Sequence, residues 1–260
     1  MNSSNSFIET GAKIGDNVTI GPFCSIGKNV KISNNCKLHS HVNIQGDVTI
    51  GENTEIFPFS SIGTIPQDLK YVGEKTFIKI GDNCKIREYV TINLGTAGGG
   101  GVTSISDNCL LMVGTHIAHD CRIGKNVIFA NHSTLAGHVI VEDDVVVGAL
   151  SAIHQFSRIG EGAMIGGMSG VTADVVPFAT VMGNRANISG LNIVGLKRRK
   201  IPKDEINALR KVFRYIFYHK NKTFKLRVEE MQNNKTNFAT INKLLNFLLD
   251  NSQRSFCLVN

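Results

Sequence analysis

Aliphatic residues recur at every sixth position along most of this chain. Counting from Ile8 in steps of six gives Ile14, Ile20, Ile26, Ile32, Leu38, Ile44, Ile50, Ile56 and Ile62 without an exception. The frame breaks across "GTIPQDLKYVGEKTFIK", resumes at Ile80, Ile86 and Ile92, breaks again across "LGTAGGGGVTS", and runs on from Ile105 through Leu111 and Ile117 to Val171. A second position, four after each aliphatic one, is small or β-branched: Val18, Cys24, Val30 and Cys36 early, then Cys109, Thr115, Cys121, Val127 and Ser133. Two inward positions per hexad predict a parallel β-helix, in which each hexad makes one flat side and three hexads close a triangular coil of about 18 residues.

Alternation along each short strand turns the neighbours of the aliphatic residue outward, and the third and fourth residues of each hexad form a corner. Coils stacked at roughly 4.8 Å then align residues eighteen apart in columns. The two interruptions, near 63–79 and 94–104, read as loops thrown out of the prism, because inserted residues cannot join the ladder without turning inward side chains outward. The repeat fades after Pro177, and helical spacing takes over at Ile206, Leu209, Phe213 and Ile216, then at Ile241, Leu244, Leu245 and Leu248. The expected division is a prism domain over 1–190 and a helical domain over 191–260, which covers the otherwise open edges of the last coil.

Composition narrows the class. No apolar run reaches the roughly 18–20 residues of a membrane span, and the start "MNSSNSFIET" has no secretory pattern, so stable membrane insertion is not expected and a cytoplasmic location is. Trp is absent, which removes the aromatic ladder of a single-strand nucleic-acid binder. From Leu196 onward there are 15 Lys or Arg against 5 Asp or Glu, leaving 13 against 16 before it, so the net charge of +7 belongs to the helical part. A basic helical face suits an acidic partner or a phosphate, or is a solvated surface.

The segment "HIAHDC", 116–121, suits a metal, thiol chemistry or proton transfer until it is placed in the hexad frame. Cys121 then falls on the small inward position, like Cys24, Cys36, Cys84 and Cys109, and is a packing residue. His116 faces outward, and His119 with Asp120 forms a corner. Adding eighteen reaches Gly137 and His138, and adding it again reaches Gln155, next to His154. One edge thus gathers His116, His119, Asp120, Gly137, His138, His154 and Gln155. Two chemistries remain open there: a metal held by three imidazoles or carboxylates, or a histidine base oriented by a carboxylate, for which His119 and Asp120 qualify.

"QDLKY", "TINLGT", "HIAHDC", "LAGHV", "HQF", "IGGMSG", "GLNI" and "GLKRR", in this order on a hexapeptide prism, resemble the UDP-N-acetylglucosamine 3-O-acyltransferase family of lipid A biosynthesis, over Ile8 to about Phe217. The resemblance implies a left-handed parallel β-helix with a C-terminal α-helical domain, assembled as a homotrimer with clefts between prisms. It implies transfer of a 3-hydroxyacyl chain from acyl carrier protein to the 3-hydroxyl of UDP-N-acetylglucosamine. His119 would be the general base, Asp120 its orienting carboxylate, and the Gly137 amide the oxyanion donor. Gln67, Asp68 and Lys70 would contact the sugar nucleotide or acyl hydroxyl, and His116, His138, His154 and Gln155 would line the cleft. Asn192, Arg198 and Arg199 would hold the nucleotide, and Gly167 would leave space for the acyl chain. No metal or other cofactor is implied, since a thioester is already activated.

Three positions depart from the family pattern: Asn93 and Leu94 replace a histidine and an arginine, and Val194 replaces an acidic residue. By the resemblance these bear on the sugar, including a 3-amino analogue. A related N-acyltransferase of the same pathway, a γ-carbonic-anhydrase-like metal lyase and a non-catalytic scaffold are the competing readings. The glycine run Gly98 to Gly101 lacks the context of a phosphate-binding loop and reads as a flexible excursion toward a neighbouring subunit.

Overall fold

The computed structural model describes residues 5–219, 221–234 and 236–259. Among them, three sheets of nine, eight and ten strands form the sides of a prism, and consecutive short strands visit the three sheets in turn. The register is the one the hexads dictate. Ile8 pairs with Ile26, Ile14 with Ile32 and Ile20 with Leu38, each eighteen residues on. Where the chain loops out, the ladder closes above the loop: Ile50 pairs with Ile80, thirty positions on instead of eighteen, and Ile80 with Ile105, twenty-five on. The excursions therefore insert twelve and seven residues, and the aliphatic positions stay inside.

From Ile20 to Val171 the frame residues are buried, whereas Ile8 and Ile14 in the open first coil are half-exposed. The small inward position does more than fill space. Cys24, Cys36, Cys109 and Cys121 each direct Sγ at a carbonyl oxygen fifteen residues on, at 2.9, 3.0, 3.1 and 3.2 Å. Ser151 Oγ donates to Gly166 O in the same way at 2.8 Å. At these five positions a weak or hydroxyl donor thus serves a corner carbonyl of the next coil, which Val cannot do, whereas Thr115 Oγ1 donates to Met112 O in its own corner and the Oγ atoms of Ser133 and Ser157 are buried without a partner among the described residues.

Corners turn through the left-handed region. Asn17, Asn35, Asn53, Asn83, Asn108 and Asn126 have φ of 55 to 60° along one edge, and asparagine tolerates this conformation better than most residues. Asp120, His138 and Phe156 do the same on a second edge, with φ of 59, 62 and 64°.

After the last coil, strands Ala179–Met182 and Asn187–Leu191 form an antiparallel pair. Four helices follow among the described residues: α1 (Ile193–Arg198), α2 (Lys203–Tyr218), α3 (Phe224–Asn233) and α4 (Ala239–Leu249). Of these, α2 and α4 carry the helical spacing seen in the sequence and bury Ile206, Leu209, Phe213, Ile216, Ile241, Leu244, Leu245 and Leu248. One continuous buried cluster joins them to the prism. The segment after α4 returns to the prism: Cys257 N donates to Asp174 O and Asp174 N to Ser255 O, both at 2.8 Å. Asp174, fully buried, accepts from Arg158 Nε at 2.7 Å and from Ser252 Oγ at 2.6 Å.

Thr54 tests the donor role of the small position. Its fully buried hydroxyl donates to Gly81 O at 3.1 Å and accepts from Cys84 N at 3.2 Å. Thr54→Val keeps the shape but strands both backbone groups, so denaturant melts are expected to show a loss of about 1–3 kcal/mol, largely recovered in Thr54→Ser. An unchanged midpoint in the valine variant would mean that packing alone matters here.

Candidate active site

Both loops and the His119–Asp120 corner leave the nine-stranded sheet and enter the eight-stranded one, so they share an edge. The loops therefore fold onto the corner above them. Asp120 is the best-held group there. Its side chain is completely buried; Oδ1 accepts from Thr96 N at 2.9 Å, and Oδ2 accepts from Thr96 Oγ1 at 2.6 Å and from His119 Nδ1 at 2.9 Å. Its own N–H donates to Thr103 Oγ1 at 2.8 Å. A carboxylate only accepts, so Nδ1 of His119 donates in this pair, and its Nε2 has no partner among the described residues.

Gly137 lies against the other side of that ring. A side chain there would place its Cβ 2.5 and 2.6 Å from Cε1 and Nε2 of His119, so only glycine admits the ring in this position. The Gly137 N–H has no acceptor among the described residues although the residue is buried, an arrangement backbone donors rarely adopt. On the neighbouring edge such corner amides are capped by carboxylates, as Glu52 N is by Asp82 at 2.7 Å and Lys125 N by Asp143 at 2.7 Å.

His138 stands edge-on to His119 at 5.0 Å and stacks on Phe156 at 4.5 Å. Burial is the main cause that lowers its pKa, with the His119 ring adding to it and the Asp120 charge opposing. His116, beside Thr91 Oγ1 at 2.7 Å, is lowered by burial first and by His119 second. His119, Asp120 and His138 offer ligand atoms within 4.8 Å of one another. A metal there would have to displace the bonds that Asp120 already makes to His119 and Thr96.

A cavity of about 420 Å³ opens beside this group, lined by Asp68, Lys70, Tyr71, Glu74, Thr96, Gly98, His138 and Phe156 among others. Of the first-loop residues singled out in the sequence, Asp68 and Lys70 thus border the histidines, with Lys70 N donating to Asp68 Oδ1 at 2.9 Å, while Gln67 is exposed nearby. Of the glycine run, Gly99 packs on the corner, while Gly98, Gly100 and Gly101 have open space or only side-chain tips near an added Cβ. Residues 97–99 make a 3-10 turn over the corner, where a Cβ on Gly99 would lie 2.0–2.4 Å from the Asp120 carboxylate.

His154 and Gln155 extend the edge by a coil, both exposed. Arg254, which the sequence did not single out, arrives from the returning C-terminal segment and donates to His154 Nδ1 at 2.7 Å and to Gln155 O at 3.1 Å. Its sequence separation of about a hundred residues hid it from any periodic reading.

Asn192, Arg198 and Arg199 are not brought to this edge within the chain. They line a cavity of about 520 Å³ on the ten-stranded face and its corner, with Ile128, Asp144, Gly162, Met164 and Val194. Asn192 caps α1, accepting from Gly195 N at 2.9 Å and donating to Gly162 O at 3.0 Å. Arg199 pairs with Glu161 and, at 3.3 Å, with Asp144, while its Nη1 is buried without an acceptor among the described residues. Arg198 is exposed. Gly167 lies on the third edge, exposed, with only Ala149 O at 3.3 Å and its N at 3.9 Å near an added Cβ. The departures divide accordingly. Val194 borders the second cavity. Asn93 is buried at the loop bases, donating to Thr64 Oγ1 at 3.0 Å and to Ile65 O at 3.2 Å, and Leu94 is buried in the core.

A parallel prism of hexapeptide coils with this edge defines a hexapeptide-repeat acyltransferase. The sequence matches the family described as "Bacterial transferase hexapeptide (six repeats)" over residues 11–46 and 103–137, and "Udp N-acetylglucosamine O-acyltransferase; Domain 2" over residues 174–257. It is 50% identical over 201 residues to an acyl-[acyl-carrier-protein]–UDP-N-acetylglucosamine O-acyltransferase of Paracoccus denitrificans, covering 77% of this chain and 76% of that one. Its identity to the protein of that name in Aliarcobacter butzleri is 48%, covering 94% of each. The solved structure of UDP-N-acetylglucosamine acyltransferase from Campylobacter jejuni superposes with a TM-score of 0.94 at 40% identity, covering both chains fully. That of Francisella novicida gives 0.95 at 36%, covering 99% and 94%. The chain belongs to the UDP-N-acetylglucosamine O-acyltransferase family, and its fold is the left-handed parallel β-helix with a C-terminal helical region.

His116 and His138 carry a pH signature. Because folding lowers both pKa values, the unfolded chain binds more protons once pH drops below the ordinary histidine value of about 6.5. Their contribution to stability is present above that pH and is lost as pH falls through the folded pKa values. Ring-proton NMR is expected to show both titrating below ordinary histidines, and His116→Gln to flatten the acid limb of the stability curve; ordinary midpoints would contradict the assignment.

Proposed function

We propose that this chain transfers a 3-hydroxyacyl group from acyl carrier protein to the 3-hydroxyl of UDP-N-acetylglucosamine, the entry step of lipid A biosynthesis. The observation that carries the mechanism is the buried Asp120 holding Nδ1 of His119, which leaves Nε2 as a free acceptor beside the unbonded Gly137 amide. Nε2 takes the proton of the sugar 3-hydroxyl as its oxygen forms a bond to the thioester carbonyl carbon. The carbonyl becomes an oxyanion that the Gly137 N–H receives; such a donor contributes roughly 2.7–4 kcal/mol. Collapse breaks the C–S bond, and the departing thiolate recovers the proton from His119. Asp120 stabilises the charged ring between these steps without accepting its proton.

Asp68, Lys70 and Gln67 contact the sugar or the acyl hydroxyl, and His116, His138, His154 and Gln155 line the acceptor cleft. Arg198 and Arg199 hold the nucleotide and its phosphates, with Asn192 shaping that wall. These two residue groups lie on different edges of one prism, so the site is completed between copies, in a homotrimer, where Gly167 of the third edge borders the acyl chain. The excess of cations after Leu196 suits the acidic carrier protein, whose approach it would accelerate. The reaction requires no metal and no membrane-embedded element, and belongs in the cytoplasm, where both substrates are made. Among the described residues no helix is long and apolar enough to cross a membrane.

Purified protein given UDP-N-acetylglucosamine and a series of 3-hydroxyacyl carrier proteins is expected to form the O-acyl product, and His119→Ala to lower kcat by about 10²–10⁴-fold. A wild type that transfers nothing, or a variant that keeps its rate, refutes the reading. Preference for the 3-amino sugar would instead move the acceptor assignment to an N-linked product. In the same assay Arg198→Ala is expected to raise KM for the UDP-sugar with little change in kcat.

A further inference from the structure

We propose that Thr96 is a positioning residue for the acyl transfer, acting through Asp120; the inference rests on the reading of His119 as the base. Thr96 lies in the second loop, at the mouth of the glycine run, and is the only residue among those described that donates twice to the Asp120 carboxylate, once from its amide and once from its hydroxyl. Thr96 N holds Oδ1 while Thr96 Oγ1 and His119 Nδ1 share Oδ2, so the carboxylate cannot rotate Oδ2 away from Nδ1 without losing the Thr96 hydroxyl. Gly99 makes the arrangement exclusive, because any side chain there would overlap the carboxylate at 2.0–2.4 Å. The donor is therefore a loop residue placed against a buried acceptor, not part of the coil ladder.

The same loop is tied to the one before it. Glu74 Oε1 accepts from Ala97 N at 3.1 Å, next to Thr96, and its Oε2 accepts from Val72 N at 3.0 Å. The amide bond from Ala97 is the largest cause holding the Glu74 carboxyl below the usual glutamate range. Asp68 and Lys70, which border the cavity, lie in the first loop as well. Loop order around the acceptor cleft thus reaches the base through Glu74, Ala97, Thr96 and Asp120 in contact with one another, and a loop displaced by poor substrate fit would release the carboxylate.

The test is steady-state kinetics of the full chain with UDP-N-acetylglucosamine and a 3-hydroxyacyl carrier protein. Thr96→Val, which removes the hydroxyl and keeps the shape, is expected to lower kcat by about 10–100-fold with KM within about threefold of wild type, the rate loss a hydrogen bond to a charged group can account for; the melting midpoint falls as well, because the buried carboxylate loses a donor, so the assay is run well below it. Thr96→Ser is expected to restore most of the rate. Gly99→Ala, which crowds the carboxylate from the other side, is expected to lower kcat in the same way and covers the case in which the valine variant does not fold. The inference is overturned if Thr96→Val turns over at the wild-type rate, or if Thr96→Ser is as slow as Thr96→Val. His119→Ala in parallel separates the two claims: a wild-type rate there removes the base itself, whereas a loss there beside an unaffected Thr96→Val removes only the positioning role.

Discussion

Everything in this molecule follows from a backbone ladder that returns each residue beneath the one eighteen places on. Because the hydrogen bonds run from coil to coil, no strand longer than a few residues is needed, and a corner becomes a place where side chains far apart in sequence are brought into columns. The ladder also sets what a corner can hold. Most turn through a left-handed residue, and at the site that residue is Asp120, then His138, then Phe156. Asparagine and aspartate tolerate this conformation, so the carboxylate that orients His119 occupies a position the fold itself favours. Burial follows from the loops that the same edge throws out and folds back over it.

Function adds what the ladder leaves undone. A buried Gly137 amide without an acceptor and an imidazole nitrogen without a partner are unfavourable in an isolated chain and useful beside a thioester. Because one prism shows the histidine column on one edge, the arginines on another and Gly167 on the third, the natural reading is that copies packed side by side face these edges toward each other. A small, rigid repeat can then build a large cleft without long loops of its own.

The prism was legible because its signal is a strict period: the inward aliphatic residues, the register of Ile8 on Ile26 and the grouping of His116, His119, Asp120, Gly137 and His138 all come from counting. Cys121 was readable as packing for the same reason, though not that its thiol serves a carbonyl of the next coil. What counting could not reach was anything outside the period. Thr96 and Glu74 lie in inserted loops, whose folding back depends on the closeness Gly99 permits. Arg254 reaches His154 from the returning C-terminal segment, and α3, with no clear apolar stripe, left no periodic mark. Asn93 and Leu94 stand out only against the family motif; both are buried, Asn93 at the base of the loop that carries Asp68 and Lys70, a placement no periodic count gives.

The central claim, that the site draws His119 from one copy and Arg198 from another, is tested most directly by complementation. Two impaired variants, His119→Ala, which lacks the base, and Arg198→Ala, which turns over slowly when UDP-sugar is held well below its raised KM, are unfolded together, refolded as mixed assemblies and assayed at that UDP-sugar concentration with saturating acyl carrier protein. The account predicts activity well above the sum of the two variants alone, since mixed assemblies contain some clefts with both wild-type groups. Activity no greater than that sum would mean that both residues act within a single chain, and would contradict it.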